Sequence, residues 1–340
     1  MHERYSRQIR FTKIGSAGQG MIRRKHVLLI GAGALGTSCA EMLVRAGIGK
    51  LTIIDRDYVE WSNLQRQQLY TETDAEDQLP KAVAAKARLS DLNREVKIDA
   101  RIEETNTMTI EEQIQDADLI IDATDNFETR MLINDAAQKW KIPWIYGACT
   151  GSHGLTYTIL PGDTPCLACL LGKIPSGSET CDTVGIISPA VQMVTAYQVA
   201  ESFKILVEDF QAIRKQVIYF DLWNNQHTSL KVDNLKNPQC DSCCPEAAFP
   251  YLNHESSTKT AVLCGRDTVQ IRPMPGMAID MDALKQKLSQ LTSNIRSNDY
   301  LLQVEIDDTR MVVFKDNRVL IHGTKDINKA KTLYNRYITG

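Results

Sequence analysis

The sequence predicts an α/β protein: a mostly parallel sheet covered by helices on both faces, followed by a small C-terminal α+β domain. Three observations predict it. Short apolar runs that read as buried strands alternate with helical patterns through residues 26–161. The first run, His26 to Ile30, leads into Gly31, Gly33 and Gly36 in the spacing G-x-G-x-x-G, then a helical stretch, then a second strand that Asp55 ends. Beyond Pro250 the pattern changes to strand, helix, three strands and helix.

Taken in order, residues 1–25 are polar and basic, with Arg4, Arg7, Arg10, Arg23, Arg24 and Lys25, and read as an exposed N-terminal helix. Strands are expected at 26–31, 50–55, 96–103, 118–124, 143–149 and 155–160. Helices are expected at 36–47, 80–93, 109–116 and 129–140. This alternation implies right-handed crossovers and a Rossmann-like sheet. A long helix follows at Ser188 to Glu208, and two strands, Val217 to Leu222 and Thr228 to Val232, flank a turn at Asn224-Asn225. Residues 1–250 thus form a nucleotide-binding domain, 251–262 a linker and 263–340 the small domain, for which a docking or dimer-supporting role is expected.

Composition narrows the function. The hydrophobic fraction, 43%, is ordinary for a globular chain. A formal net charge of −3 gives no reason to expect nucleic acid or an anionic membrane as partner. No apolar run approaches a membrane span, and the polar start His2 to Gln8 does not read as a signal peptide. Nine cysteines without an export signal read as reduced thiols or metal ligands in the cytoplasm.

The glycine loop is a phosphate cradle. Gly31 allows a tight turn, Gly33 lets a phosphate approach the backbone, and Gly36 lets the helix pack close to the strand. The helix N-terminus presents N–H groups to an anion. Asp55 stands where a carboxylate accepts hydrogen bonds from ribose hydroxyls. A nicotinamide cofactor needs nothing more, but Asn63, Gln65, Arg66, Gln67 and Gln68 crowd the stretch after Asp55. A triphosphate suits a guanidinium among amides better. Lys81, at the start of the helix after Pro80, opposes the helix dipole and suits a nearby anion. Asp125, past a fourth strand, fits either a Mg²⁺ ligand or the N-cap of the helix Thr129 to Trp140.

Cys166-x-x-Cys169 and Cys240-x-x-Cys243 together supply four thiolates, the set for a structural zinc. A redox pair explains one such motif but not two. Cys244 could replace Cys243 on spacing alone. Cys39, Cys149 and Cys264 read as small core residues. Cys181 ends a Gly/Ser/Pro-rich loop, and on its residues alone it reads as a bystander, since Asp182 discourages a thiolate.

RYSRQ at Arg4 to Gln8, GAGALG at Gly31 to Gly36, DRDYVEWSNLQRQ at Asp55 to Gln67, Lys81 and DATDN at Asp122 to Asn126 together resemble the ThiF/MoeB/HesA family, bacterial relatives of ubiquitin-activating enzymes. The likeness covers roughly the first three quarters of the chain. It implies adenylation, by ATP and Mg²⁺, of the Gly-Gly carboxylate of a small ubiquitin-like sulfur carrier, with a cysteine desulfurase-type donor supplying sulfur afterwards. It further implies nucleotide contacts at Gly31, Gly33, Gly36, Asp55, Asp57, Asn63, Arg66, Lys81 and Asp125, and zinc at Cys166, Cys169, Cys240 and Cys243. Arg7 is implied to reach the partner's ATP across a homodimer, and Cys181 matches the reactive cysteine of the thiamine branch. The context CDTVGIISP favours the thiamine carrier ThiS over the molybdopterin carrier MoaD. Two rival readings are an NAD-dependent oxidoreductase, supported by the glycine loop alone, and a non-catalytic binding protein of the same fold. Arg66, Lys81 and Asp125 all being present counts against the second.

Overall fold

A computed structural model describes residues 3–171, 184–253, 260–262, 267–272, 279–306 and 309–339. The chain divides into two compact units, Met1–Ser256 and Ser257–Gly340.

The first unit begins with two helices, α1 (Ser6–Arg10) and α2 (Gly15–Ile22), where one was expected. The alternating part follows as β1 (His26–Ile30), α3 (Ala34–Ala46), β2 (Lys50–Ile54), α4 (Glu72–Glu76), α5 (Lys81–Leu92), β3 (Lys97–Arg101), α6 (Ile110–Gln113), β4 (Leu119–Asp122) and α7 (Phe127–Trp140). Then come β5 (Trp144–Thr150), β6 (His153–Ile159), α8 (Leu167–Leu171), α9 (Ser188–Leu206), β7 (Gln216–Asp221) and β8 (Gln226–Lys231).

These eight strands form one sheet in the order β3-β2-β1-β4-β5-β6-β7-β8. Strands β1 to β5 pair in parallel, with Ile30 opposite both Ile54 and Asp122. The remaining pairs are antiparallel. The switch of direction has a local cause: only Gly151 and Ser152 join β5 to β6, too short a link for a parallel crossover. Gly151 takes φ +57° there.

Apolar runs rather than alternation mark the central strands because both faces are covered. Val27 and Leu29 of β1 enter one core with Leu43 of α3 and Leu89 of α5. Leu28 and Ile30 enter the other with Met131 and Ile133 of α7. From β1 the chain moves outward to β2 and β3, then returns to β4 on the other side of β1. The resulting crevice at the carboxyl ends of β1 and β4 is where α/β sheets bind ligands. Strands β4 and β5 pair over only two positions, 120–144 and 121–145. Just beyond, the buried Gln198 amide of α9 donates to Asp122 O at 2.9 Å and Ile145 O at 3.4 Å, so the strands splay at that edge.

The second unit contains β9 (Thr260–Val262), β10 (Thr268–Ile271), α10 (Met281–Ser289), β11 (Ile295–Ser297), β12 (Leu301–Ile306), β13 (Thr309–Phe314), β14 (Val319–His322) and α11 (Ile327–Tyr334). Its antiparallel sheet runs β11-β12-β13-β14-β10-β9. Leu284 and Leu288 of α10 and Ala330 and Tyr334 of α11 pack with Val269, Val304, Met311 and Ile321 of the sheet. Asp280 and Asp326 cap the two helices. Two strands are additional to the expected order. Both β9 and β11 are three residues long, too short to show a period, and β9 falls in the stretch read as linker. Among the described residues no helix is long and apolar enough to cross a membrane.

Candidate active site and metal centre

The glycine loop is the hub of the crevice. Gly31 adopts φ +98°, and a Cβ there would lie 2.5 Å from Ala123 O. At Gly36 a Cβ would lie 2.0 Å from Gly31 O. Gly33 differs: its nearest neighbour would be the Gln67 amide nitrogen, 3.9 Å away. Two glycines therefore serve close packing, and the middle one leaves open space for a ligand against the backbone. Gly33 also starts α3, whose first N–H groups face that space.

Each neighbouring segment touches this loop. Asp55 accepts from Ala32 N at 2.6 Å and from Asp57 N at 2.7 Å, so its carboxylate shapes the loop. Burial pushes its pKa up, Asp57 adds to that, and Lys81 with the two N–H groups works against it. The buried Tyr70 hydroxyl lies 2.7 Å from Ala32 O and 3.2 Å from Lys81 O, tying the loop to the start of α5. Lys81 is itself almost fully buried, with Nζ 3.6 Å from Asp57 Oδ2 and its N–H on Asp57 O at 2.8 Å. A lysine held there has little solvent to satisfy it, and the carboxylates of Asp57 and Asp55 balance its charge.

The stretch after β2 folds back over Gly33. Asn63 is buried and accepts from Glu60 N at 3.2 Å, so its side chain braces the turn. Arg66 is half-exposed and donates to Ser62 O at 2.8 Å, one bond of the five its fork can make. Gln67 is buried beside Gly33, and its amide oxygen has no hydrogen-bond partner among the described residues.

The third wall is the turn from β4 to α7. Asn126, not Asp125, caps α7, accepting from Thr129 N at 2.8 Å. This leaves the exposed Asp125 outside the cap, which corrects the capping alternative. The turn is clamped from below. Asp122 Oδ1 accepts from Thr124 N at 2.9 Å and Thr124 Oγ1 at 2.7 Å. Arg130 donates through Nε to Asp122 Oδ2 at 3.2 Å and through Nη2 to Thr124 O at 2.7 Å and Gly147 O at 3.3 Å. Burial pushes the Asp122 pKa up, and Arg130 is the foremost influence holding it down. Sequence reasoning missed Arg130, Tyr70 and Gln198. Nothing in a linear pattern separates a buried arginine on a helix from a solvated one.

Arg7 is not brought to this site within the chain. It is exposed on α1, beside Tyr5 and Gln8, which contact Gly47 and Ala46 at the carboxyl end of α3. The thirteen residues of α3 separate that end from the glycine loop by about 18 Å. Cys181 lies outside the described residues, as does Cys264. Cys39 is fully buried, as its core reading requires, and Cys149 is half-buried.

The four cysteines of the paired motifs do converge. The sulfurs of Cys166, Cys169, Cys240 and Cys243 lie within 4.8 Å of one another. Separations of 3.8 Å (Cys166–Cys169), 3.6 Å (Cys166–Cys240) and 3.5 Å (Cys169–Cys243) match the edge of a ZnS₄ tetrahedron, about 3.8 Å for a 2.3 Å bond. Cys244 stays outside the cluster, its N–H on Cys240 O at 3.0 Å.

Comparison with known proteins places the chain in a family. The ThiF family profile matches residues 5–242. The sulfur carrier protein ThiS adenylyltransferase of Bacillus subtilis is 50% identical over 99% of this chain and 100% of that protein. The sulfur carrier protein adenylyltransferase of Thermus thermophilus is 34% identical over 72% and 91%. The molybdopterin-synthase adenylyltransferase of Escherichia coli is 30% identical over 71% and 95%. Among solved structures, E. coli MccB with ATP superposes at a TM-score of 0.59 with 20% identity, covering 72% of this chain and 75% of that one, a likeness of fold. With the whole nucleotide-binding sheet inside the profile and half of all positions shared with one full-length relative, the chain belongs to the ThiF family.

Proposed function

We propose that the chain is the enzyme that adenylates the C-terminal Gly-Gly carboxylate of a ThiS-type, ubiquitin-like sulfur carrier, giving an acyl adenylate and pyrophosphate. One observation carries the choice of carrier. The Bacillus subtilis ThiS adenylyltransferase matches the chain through its second unit, whereas the E. coli molybdopterin relative is nearly exhausted after 71% of the chain. The second unit is therefore shared with that ThiS adenylyltransferase.

The chemistry asks for the residues at the crevice. A carboxylate must attack the α-phosphate, so two anions have to meet and cationic groups must be in place beforehand. In this reading Gly33 and the start of α3 receive the phosphates, Arg66 and Lys81 neutralise them, and Asp55 and Asp57 hold the ribose side. Asn63 braces the turn that delivers Arg66. Asp125, which does not cap α7, would hold Mg²⁺, and the ion would supply positive charge against the phosphates. Because Arg7 stands at the far end of α3, it serves a site only if a second copy presents it, so the active form is a homodimer. Zinc fits the four sulfurs, and a closed tetrahedron leaves it a structural role. Cys181 would act after adenylation, in sulfur transfer from a desulfurase-type donor. A cytoplasmic location follows from reduced thiols and a nucleotide substrate.

ATP–pyrophosphate exchange tests the proposal. Exchange should depend on a ThiS-like carrier and fail with a MoaD-like one. Measurable ATP binding without exchange on either carrier would defeat it.

A further inference from the structure

Helix α7 carries two consecutive polar residues, Asn134 and Asp135, that are both fully buried. An unpaired polar group at such a depth is costly, so side chains of this kind persist where they hold something. What they hold is both halves of the cysteine cluster. Asn134 Oδ1 accepts from Leu167 N at 2.8 Å. Leu167 follows Cys166 and begins α8, the helix on which Cys169 sits. Asp135 accepts from the hydroxyl of Ser242, which is buried between Cys240 and Cys243. Its Oδ2 also accepts from Tyr251 N at 2.8 Å. Asn134 Nδ2 lies 3.4 Å from Asp135 Oδ1, so the two amide and carboxyl groups are joined. The paired motifs stand 74 residues apart in sequence, and α7 is the shared base on which they meet.

We propose that Asn134 and Asp135 are positioning residues of the metal centre, holding the two Cys-x-x-Cys segments in register and so setting how tightly the cation is kept. The inference rests on the zinc reading of the four cysteines. A ligand pair supplied by two remote segments binds weakly if each segment wanders. Fixing one segment by Asn134 and the other by Asp135 removes that freedom before the cation arrives. Groups that orient metal ligands in this way change affinity by roughly 10–100-fold when removed.

The test is zinc affinity of the full-length chain, measured by competition with a chromophoric chelator. Asn134→Leu and Asp135→Leu keep the volume and remove the acceptors, and each should weaken zinc binding by roughly 10–100-fold. Leu43→Ala, a cavity in the opposite core, provides the comparison: it should lower the melting temperature while leaving zinc affinity at the wild-type value. Should the leucine variants fail to fold, Ser242→Ala and Asp135→Asn decide the matter, since each deletes little volume; a loss of about 10-fold is expected for Ser242→Ala. Wild-type affinity in the folded variants would overturn the positioning role and leave the zinc reading intact. Wild-type chain that takes up no zinc at all would overturn the zinc reading instead.

Discussion

Replacing Arg130 by Met should destabilise the first unit by about 3–5 kcal/mol, the usual consequence of leaving one member of a buried ion pair alone. The Arg130 guanidinium is 9% exposed and the Asp122 carboxylate 0%, at 3.2 Å. Methionine fills much of the volume but supplies none of the three hydrogen bonds to Asp122, Thr124 and Gly147. Asp122 would keep only the two bonds from Thr124. Burial already raises its pKa, and removing Arg130 raises it further. The sign with pH follows. A carboxyl whose folded pKa lies above its unfolded value is more protonated in the folded chain. Stability is then lost as pH rises from the unfolded pKa, about 3.9, through the folded one. The variant should therefore lose more stability at pH 8 than near pH 4, about the unfolded pKa. Urea unfolding followed by tryptophan fluorescence reads this unit alone, because Trp61, Trp140, Trp144 and Trp223 all precede residue 257. Asp122→Asn combined with Arg130→Met should recover part of the loss. A loss below about 1 kcal/mol that does not change with pH would place the pair with solvent-screened surface bridges and refute the buried-clamp argument.

Three other outcomes are expected. Gly36→Ala should fail to give soluble protein, since its Cβ would overlap Gly31 O, whereas Gly33→Ala should fold normally and lose ATP affinity; calorimetry with ATP separates the two, and normal binding by Gly33→Ala would remove the phosphates from that position. Metal analysis should find zinc in wild type and in Cys244→Ser but not in Cys243→Ser, and a metal-free folded wild type would defeat the four-cysteine centre. Arg7→Ala and Asp125→Ala should each abolish ATP–pyrophosphate exchange without lowering the melting temperature. Mixing the two should then restore about a quarter of the sites if a two-fold dimer exchanges Arg7, and no recovery after subunit exchange would place Arg7 outside the site.

Much of this molecule is legible in one dimension. Strands β1, β2 and β4 announce themselves as apolar runs because helices cover both faces of the sheet, and burial on two sides leaves no alternation. The glycine spacing, Arg66, Lys81 and the paired cysteines are local chemistry at fixed intervals, so a glycine loop at the sheet edge and a four-cysteine cluster could be expected from residue types. What the sequence left open depends on contacts between distant segments. The choice of Asn126 over Asp125 as cap, and of Cys243 over Cys244 as fourth member of the cysteine cluster, turns on the folded positions of these side chains, which spacing does not encode. The reversal of direction after β5 is set by a two-residue link whose meaning emerges only once the neighbouring strand is in place. Arg130, Asn134 and Asp135 look like any polar residues on a helix. Folding buries them against β4 and the cysteine segments, where each unpaired group would be costly, and so makes them braces of the two sites. Composition and local spacing by themselves determined the chemistry this chain can carry. Tertiary packing decided which side chains hold that chemistry in place, because burial is a property of the assembled fold and no single stretch of sequence contains it.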